Sequence, residues 1–286
     1  MDWIRNISVE AKPCSELERY LFDLNGYFVI KGALTPEEVS DCNKILDDLQ
    51  DTQINEWRGN VHGHSFTGSH EGLNLQQIYE SGKPFERLID HPSWIRKIIH
   101  FIGTDSNNFD GLHGPCFIDE NFASIRGPGE AIGLHSGGQD RVTRCQYVYH
   151  DGIFHCGQVN VLIAYSAIGP GDGATMIIPG SHKSNIMHPQ FMESTMAVHS
   201  TSADGAIGAI EVFMDAGDAL IFVDAIMHGS AKRINSGQRR ISVYRYGPSW
   251  GFFRHNYRPS KELLARLKPL QRKIVMPHDT STLLIK

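Results

Sequence analysis

Residues 215–246, DAGDALIFVDAIMHGSAKRINSGQRRISVYRY, decide how the rest of the chain is read. A turn at Ala216, Gly217 and Asp218 precedes Ala219, Leu220, Ile221, Phe222 and Val223, whose length and β-rich composition predict a strand. His228 follows, then Gly229 and Ser230, a polar loop with Asn235, Ser236 and Gly237, and a second strand over 239–246. The simplest arrangement of two such strands is a hairpin. In the second strand Arg239, Ile241 and Val243 share one face, and Arg240, Ser242 and Tyr244 share the other. A hairpin of this kind sets an imidazole at the end of one strand and a guanidinium on its neighbour. Imidazole commonly ligates iron, copper, nickel or zinc, and guanidinium grips a carboxylate through two parallel N–H groups. A core histidine beside a surface arginine would give the same pattern, so the segments upstream carry the decision.

Those segments are β-rich. From about residue 111 the chain breaks into short apolar runs at 116–118, 124–126, 147–149, 159–164 and 174–178, separated by Gly, Pro, Asn and Asp. Many short strands bounded by turn residues predict an antiparallel barrel or jelly roll. Helices come first. Ser15 can cap a helix over 15–24, and a short strand follows at 26–30. Thr35, Pro36 and Glu38 form a capping box for a helix reaching about residue 48. Ile95, Ile98, Ile99 and Ile102 stripe a helix over 92–102. Residues 51–74, with His62, His64 and His70, show no period and predict an exposed loop, with a lid as the functional alternative. Residues 260–273 read as a basic amphipathic helix packed on the sheet. No repeat or linker divides the chain. The expectation is one domain over 1–286: a helical lead-in to about 110, a β core over about 111–250, and a tail over 251–286. The fold class is mainly β with flanking α-helices, a double-stranded β-helix barrel of the jelly-roll, cupin-like kind.

Composition narrows the function. The 286 residues are 41% hydrophobic and 21% charged, ordinary for a globular protein. A net charge of −5 gives no basic face for nucleic acid. No apolar run approaches the roughly 20 residues that span a bilayer, and the first residues lack the apolar core of a signal peptide. Cys14, Cys42, Cys116, Cys145 and Cys156 are scattered without a C-x-x-C pair and read as free thiols of a reducing cytoplasm. The 169–173 run, GPGDG, lacks the Gly-Lys-Ser/Thr ending of a phosphate loop and reads as a tight turn.

Three motifs occur in order: PGSHK at 179–183, GDALIF followed by HGS at 217–230, and RRIS at 239–242, with His135 upstream in GLHSGG. Together they resemble the phytanoyl-CoA dioxygenase-like family of iron(II)/2-oxoglutarate oxygenases over about residues 125–248, and more weakly back to Gly26. The resemblance implies a small-molecule substrate oxidised at an unactivated C–H bond, with iron(II), 2-oxoglutarate and O2 as cofactors and no membrane or nucleic-acid partner. It makes His135 and His228 the metal ligands and Arg239 the partner of the distal carboxylate of 2-oxoglutarate, with Ser230 as a second contact. Asn160 and Gln158, on a central strand, could line the pocket or bond backbone as ordinary core amides. Arg240 should point to the opposite face from Arg239.

One position departs from the family. Residues i and i+2 of a strand share a face about 6.6 Å apart, so the family's His-x-Asp can turn two ligands to one metal. Here Gly137 stands where the aspartate belongs. Two histidines and a carboxylate make the facial triad of non-haem iron(II) oxygenases. Without the carboxylate the chain resembles the halogenases of this superfamily, in which chloride takes that corner, so chlorination is the expected chemistry. Hydroxylation with Asp140 or water as third ligand is the alternative. Asp224 shares a strand face with His228 but would lie roughly 13 Å away by strand rise. A binding barrel that has lost its metal is a second class, and a zinc hydrolase would lack protein ligands. Arg126, Arg141, Arg144, Arg245 and Arg254 lie near the site-forming strands in sequence and suggest an anionic substrate.

Overall fold

Ser15 opens the first helix, α1 (Glu16–Asn25), through the reciprocal bonds of a capping box with Glu18, and Gly26 closes it in the left-handed conformation. Thr35 and Glu38 do the same for α2 (Pro36–Leu49), which has proline in its first turn. The computed structural model describes residues 7, 10–65, 72–106, 113–137, 145–192, 204–251 and 257–277. Further helices among them are α3 (Lys83–Glu86), α4 (Ile95–Phe101), α5 (Pro189–Met192), α6 (Lys261–Arg266) and α7 (Pro269–Val275).

The strands in chain order are β1 (Tyr27–Ile30), β2 (Trp57–Arg58), β3 (Val61–His64), β4 (Leu73–Gln76), β5 (Phe117–Arg126), β6 (Ile132–His135) and β7 (Tyr149–His150). They continue with β8 (Ile153–Phe154), β9 (Val159–Ala164), β10 (Thr175–Ile177), β11 (Ile210–Val212), β12 (Ala219–Val223), β13 (His228–Ser230) and β14 (Arg239–Gly247). Two antiparallel sheets hold most of them. The larger runs β1-β12-β9-β14-β5-β4-β3-β2 and the smaller β11-β10-β13-β6. Facing antiparallel sheets whose strands switch layer along the chain make the expected jelly roll.

Residues 215–246 do not fold as a hairpin. β12 and β14 both pair with β9, one on each side of it, and β13 belongs to the other sheet. The chain therefore crosses from the large sheet to the small one between Val223 and His228, and back before Arg239. His228 and Arg239 end on facing sheets instead of adjacent strands.

Helices cover the outer face of the large sheet. Tyr244 donates from its hydroxyl to Phe85 O at 2.7 Å, and Trp94 Nε1 donates to the Tyr246 hydroxyl at 3.2 Å. Asn43 of α2 donates to Tyr165 O. Phe22 of α1 stacks on Phe101 of α4 with ring centroids 3.7 Å apart. Tyr244, Tyr246, Trp94 and Phe22 are fully buried, each contributing on the order of 2 kcal/mol through apolar burial.

Four expectations change. The 51–74 segment is not all loop: β2, β3 and β4 extend the large sheet through the β4–β5 pairing. The helical lead-in thus contributes strands, and the boundary near residue 110 does not separate helix from sheet. The 116–126 region is one ten-residue strand, because its polar middle is internally satisfied: Asn121 accepts from Tyr79 N and donates to Val243 O. The C-terminal helix is two, since the residue before Pro269 is held extended. Gln271 bonds Asp90 and Glu86 O, and Arg266 pairs with Glu86, so this region does pack on the body of the fold.

Candidate metal and co-substrate site

β6 and β13 pair so that His135 and His228 are direct cross-strand partners. Their ring centroids are 4.1 Å apart with planes inclined at 56°. Each ring is oriented by its own strand: His135 Nδ1 lies 2.9 Å from Gly133 O, and His228 Nδ1 lies 2.8 Å from Ile226 O. A carbonyl can only accept, so both Nδ1 atoms carry the proton and both Nε2 atoms present the lone pair a metal needs. Phe222 packs edge-on against His228 at 4.9 Å. Burial, and secondarily the neighbouring His135, push the pKa of His228 down to about 3. The imidazole is therefore neutral, the ligating form.

Arg239 lies across the barrel. It is buried, and its Nη2 donates to Thr175 Oγ1 at 3.2 Å. Its Nε has no hydrogen-bond partner among the described residues. Burial, with Arg126 and Arg233 nearby, lowers its pKa to about 9, which leaves it charged at neutral pH. A buried guanidinium with an unsatisfied N–H and cationic neighbours fits a carboxylate ligand. Arg240 points outward as expected, to Asp47 of α2 at 2.7 Å. Ser230 stands opposite Thr175 in register, accepting from Arg126 Nη1 at 2.6 Å and from Ile132 N at 3.3 Å. Its hydroxyl is thus tied first to Arg126, which also donates to Gly129 O and Glu130 O.

Gln158, just before β9, and Asn160 of β9 form a side-chain relay. Gln158 Nε2 donates to Asn160 Oδ1 at 3.2 Å, and Asn160 Nδ2 donates to Asp224 Oδ1 at 2.8 Å. Arg245 Nη1 reaches the same oxygen at 3.1 Å, and Arg245 also pairs with Glu120. Cys145 Sγ lies 3.8 Å from Gln158 Oε1. Arg245 and Arg126 are therefore committed inside the barrel and are not cations awaiting substrate. Asp140, Arg141, Arg144, Arg254 and His70 lie outside the described residues.

Asp224 is where the straight strand assumed from the sequence does not hold. Strand rise put it far from His228, but β12 ends at Val223 and the chain turns through 224–227 before β13 begins. The two segments are stapled: Gly137 N donates to Asp224 O at 2.9 Å, and Ser136 Oγ donates to Ala225 O at 2.7 Å. The space a side chain at 137 would need is already filled. A Cβ on Gly137 would fall inside the Asp224 carboxylate, with Asp224 Cγ at 2.8 Å and Cys145 Cβ at 2.9 Å. The open corner expected beside Gly137 is thus occupied by a fully buried carboxylate. As the side chains stand, no three His, Cys, Asp or Glu among the described residues form a group spaced to hold a metal. The two imidazoles fit a metal, and a third protein ligand requires a side chain to turn.

The remaining motifs are structural. His182 of the PGSHK segment donates from Nε2 to Asp23 O at the end of α1, and Lys183 pairs with the Asp23 carboxylate. Gly26 permits this approach, since a Cβ there would meet His182 Nδ1. The 169–173 run is a turn with Gly171 and Gly173 at positive φ, held by Arg233 donating to Asp172 O. All five cysteines are free thiols. Among the described residues no helix is long and apolar enough to cross a membrane.

One family model and several known proteins match this chain. The family model described as phytanoyl-CoA dioxygenase (PhyH) matches residues 22–241. The dioxygenase cdmD of Talaromyces verruculosus is 24% identical over 118 residues, a stretch covering 41% of this chain and 35% of that relative's length. HygX from Streptomyces hygroscopicus, solved with nickel and 2-oxoglutarate bound, is 22% identical at a TM-score of 0.66, covering 87% of this chain and 93% of its own. SnoN, a non-haem α-ketoglutarate-dependent epimerase from nogalamycin biosynthesis, is 12% identical at a TM-score of 0.54, covering 82% of each chain. At these identities the two solved structures speak to the shared jelly-roll fold.

Proposed function

The chain belongs to the phytanoyl-CoA dioxygenase family, and from that premise we propose that it is an iron(II)- and 2-oxoglutarate-dependent oxygenase acting on an unactivated C–H bond of a small molecule. The observation that carries this reading is the cross-strand His135–His228 pair, with both Nδ1 protons turned to backbone carbonyls, so that Nε2 is the nitrogen each ring can offer a metal. Iron(II) with 2-oxoglutarate supplies the activation of dioxygen, the co-substrate leaving as succinate and carbon dioxide. His135 and His228 would hold the metal, each ring kept in one tautomer by its own strand. Arg239 would take the distal carboxylate of 2-oxoglutarate on Nε and the neighbouring Nη, with Thr175 steadying the fork from the facing sheet. Arg126, braced by Ser230, adds positive potential to the same end of the barrel.

Oxygen insertion is the reading favoured here over chlorination, because a buried carboxylate beside Gly137 disfavours a second anion at that corner. Chlorination is the second reading, and Gly137 in place of the family's aspartate is the observation that favours it. The test is to purify the protein without oxygen and measure iron per chain. Succinate release is then followed against metabolite pools with and without chloride or bromide. Stoichiometric iron, substrate-stimulated succinate and halide-independent hydroxylated product are expected. A protein that binds neither iron nor 2-oxoglutarate would overturn the oxygenase reading, and a C–Cl product would establish the second.

A further inference from the structure

The geometry points to Asp224 as the third protein ligand of the metal that His135 and His228 would hold, a carboxylate delivered from the strand end before the second histidine instead of from position 137. This rests on the iron reading above. In the His-x-Asp arrangement the carboxylate follows the first histidine by two residues. Here it precedes the second histidine by four, and the fold brings those two places together. The Gly137 N–H bond to Asp224 O and the Ser136 hydroxyl bond to Ala225 O hold residues 136–137 against 224–225, just beyond the end of the ladder at the His135–His228 pair. Asp224 Oδ2 then lies where a Cβ of residue 137 would stand, so glycine at 137 and the carboxylate at 224 are complementary: any side chain at 137 would evict it.

Three further features fit a ligand better than a bystander. Asp224 is fully buried, where a carboxylate is costly unless paired, and Arg245 pairs with its Oδ1. Its Oδ1 is held by Asn160 and Arg245, which orients the group as outer partners orient ligating carboxylates. Its Oδ2 lies against Gly137, two residues from His135. A metal dication held by the two imidazoles would attract that carboxylate. Because no three-ligand group exists as the side chains stand, binding requires Asp224 to turn about its side-chain torsions so that Oδ2 reaches the metal. The competing account makes Asp224 only the counter-ion of Arg245.

The experiment titrates metal-free protein with Mn(II), reading the free ion by electron paramagnetic resonance, for wild type, Asp224→Asn, Arg245→Gln and Asp224→Gly. Loss of a direct ligand should weaken Mn(II) binding by about 100-fold, the upper end of what losing an outer partner costs. Asp224→Asn is expected to show that loss, Arg245→Gln a clearly smaller one, and added acetate should restore binding to Asp224→Gly alone. Wild-type affinity should not respond to chloride, a measurement that needs no variant to fold. Unchanged Mn(II) affinity in Asp224→Asn, equal losses in Asp224→Asn and Arg245→Gln, or wild-type binding tightened by chloride would each overturn the assignment. Those results leave the oxygenase reading standing, whereas a wild-type protein that binds no metal removes both.

Discussion

Arg239 of β14 and Arg126 of β5 are direct cross-strand partners, both buried inside the barrel. Like charges directly opposite each other on a sheet are destabilising, and burial makes the repulsion harder to screen. Among the described residues Arg239 has only the Thr175 hydroxyl to answer it. Arg126 is answered by Ser230 Oγ and the carbonyls of Gly129 and Glu130, so Arg239 is the member of the pair suited to a carboxylate ligand. Arg233, the third cation acting on Arg239, already has Asp172 as its partner at 3.0 Å.

Arg239→Ala should therefore raise the 2-oxoglutarate requirement steeply. Removing one partner of a buried charge pair costs roughly 3–5 kcal/mol, or two to three powers of ten in affinity. Arg240→Ala loses a surface contact to Asp47, worth roughly 0–1 kcal/mol. Isothermal titration with 2-oxoglutarate on the metal-loaded protein checks the contrast. The reverse order would mean that the face of β14 turned into the barrel is not the binding face.

His135→Ala and His228→Ala should each lose metal while leaving the fold in place, because each removes one of two paired imidazoles and the strands that carry them are held by backbone pairing. Iron per chain after anaerobic reconstitution, read beside the far-ultraviolet circular dichroism, checks both halves. Full iron occupancy in either variant would move the metal elsewhere.

What was legible in the sequence follows a physical line. The β12 run, the two faces of β14, the Ser15 cap and the Thr35–Glu38 capping box depend on neighbours within a few residues, and all stand as read. His135 and His228 were legible as chemistry and through the motifs around them. The hairpin was not, because nothing local in residues 224–227 says that the chain changes sheets there. β3 was missed because Val61, His62, Gly63 and His64 give only a short alternation of burial with no second apolar side chain. The polar middle of β5 looked like a break, since its partners Tyr79 and Val243 are far away in sequence. Asp224 was set aside on an assumed straight strand, and the absence of a side chain at Gly137 could not show what fills its place.

Gly137→Ala should destabilise the protein by about 1–3 kcal/mol, the usual cost of overpacking a filled site. The new methyl falls on the Asp224 carboxylate, with Cys145 behind it. Gly137→Asp meets the same obstacle, so it cannot by itself test which anion occupies the corner. Combining Gly137→Ala with Asp224→Gly should cost less than the sum of the two single changes, because the second vacates the space the first needs. Urea unfolding midpoints of the metal-free variants read this coupling. Additive effects would show that the two residues are not neighbours in solution.

The final prediction concerns His182, which clasps the end of α1. Its ring is buried against Tyr147 with centroids 4.5 Å apart, its Nε2 donates to Asp23 O, and Gly26, Ile226 and Lys183 crowd it. Burial drives its pKa from 6.5 to about 4, the Asp23 carbonyl opposing and the Lys183 charge adding to the drop. The folded state therefore resists a proton that the unfolded chain accepts. The stability this contributes is fully present above the unfolded value near 6.5, and it is lost as pH falls towards about 4. A drop of this size corresponds to about 3 kcal/mol over the whole window. Between pH ~7 and ~5 the wild type should lose about 2 kcal/mol more than His182→Gln, whose side chain does not titrate. Other buried histidines, His228 and His91 among them, titrate in both proteins and cancel in the comparison. Urea midpoints of the two proteins across this range measure the difference. Parallel curves would mean that His182 is solvated in solution and that the clasp on α1 does not hold.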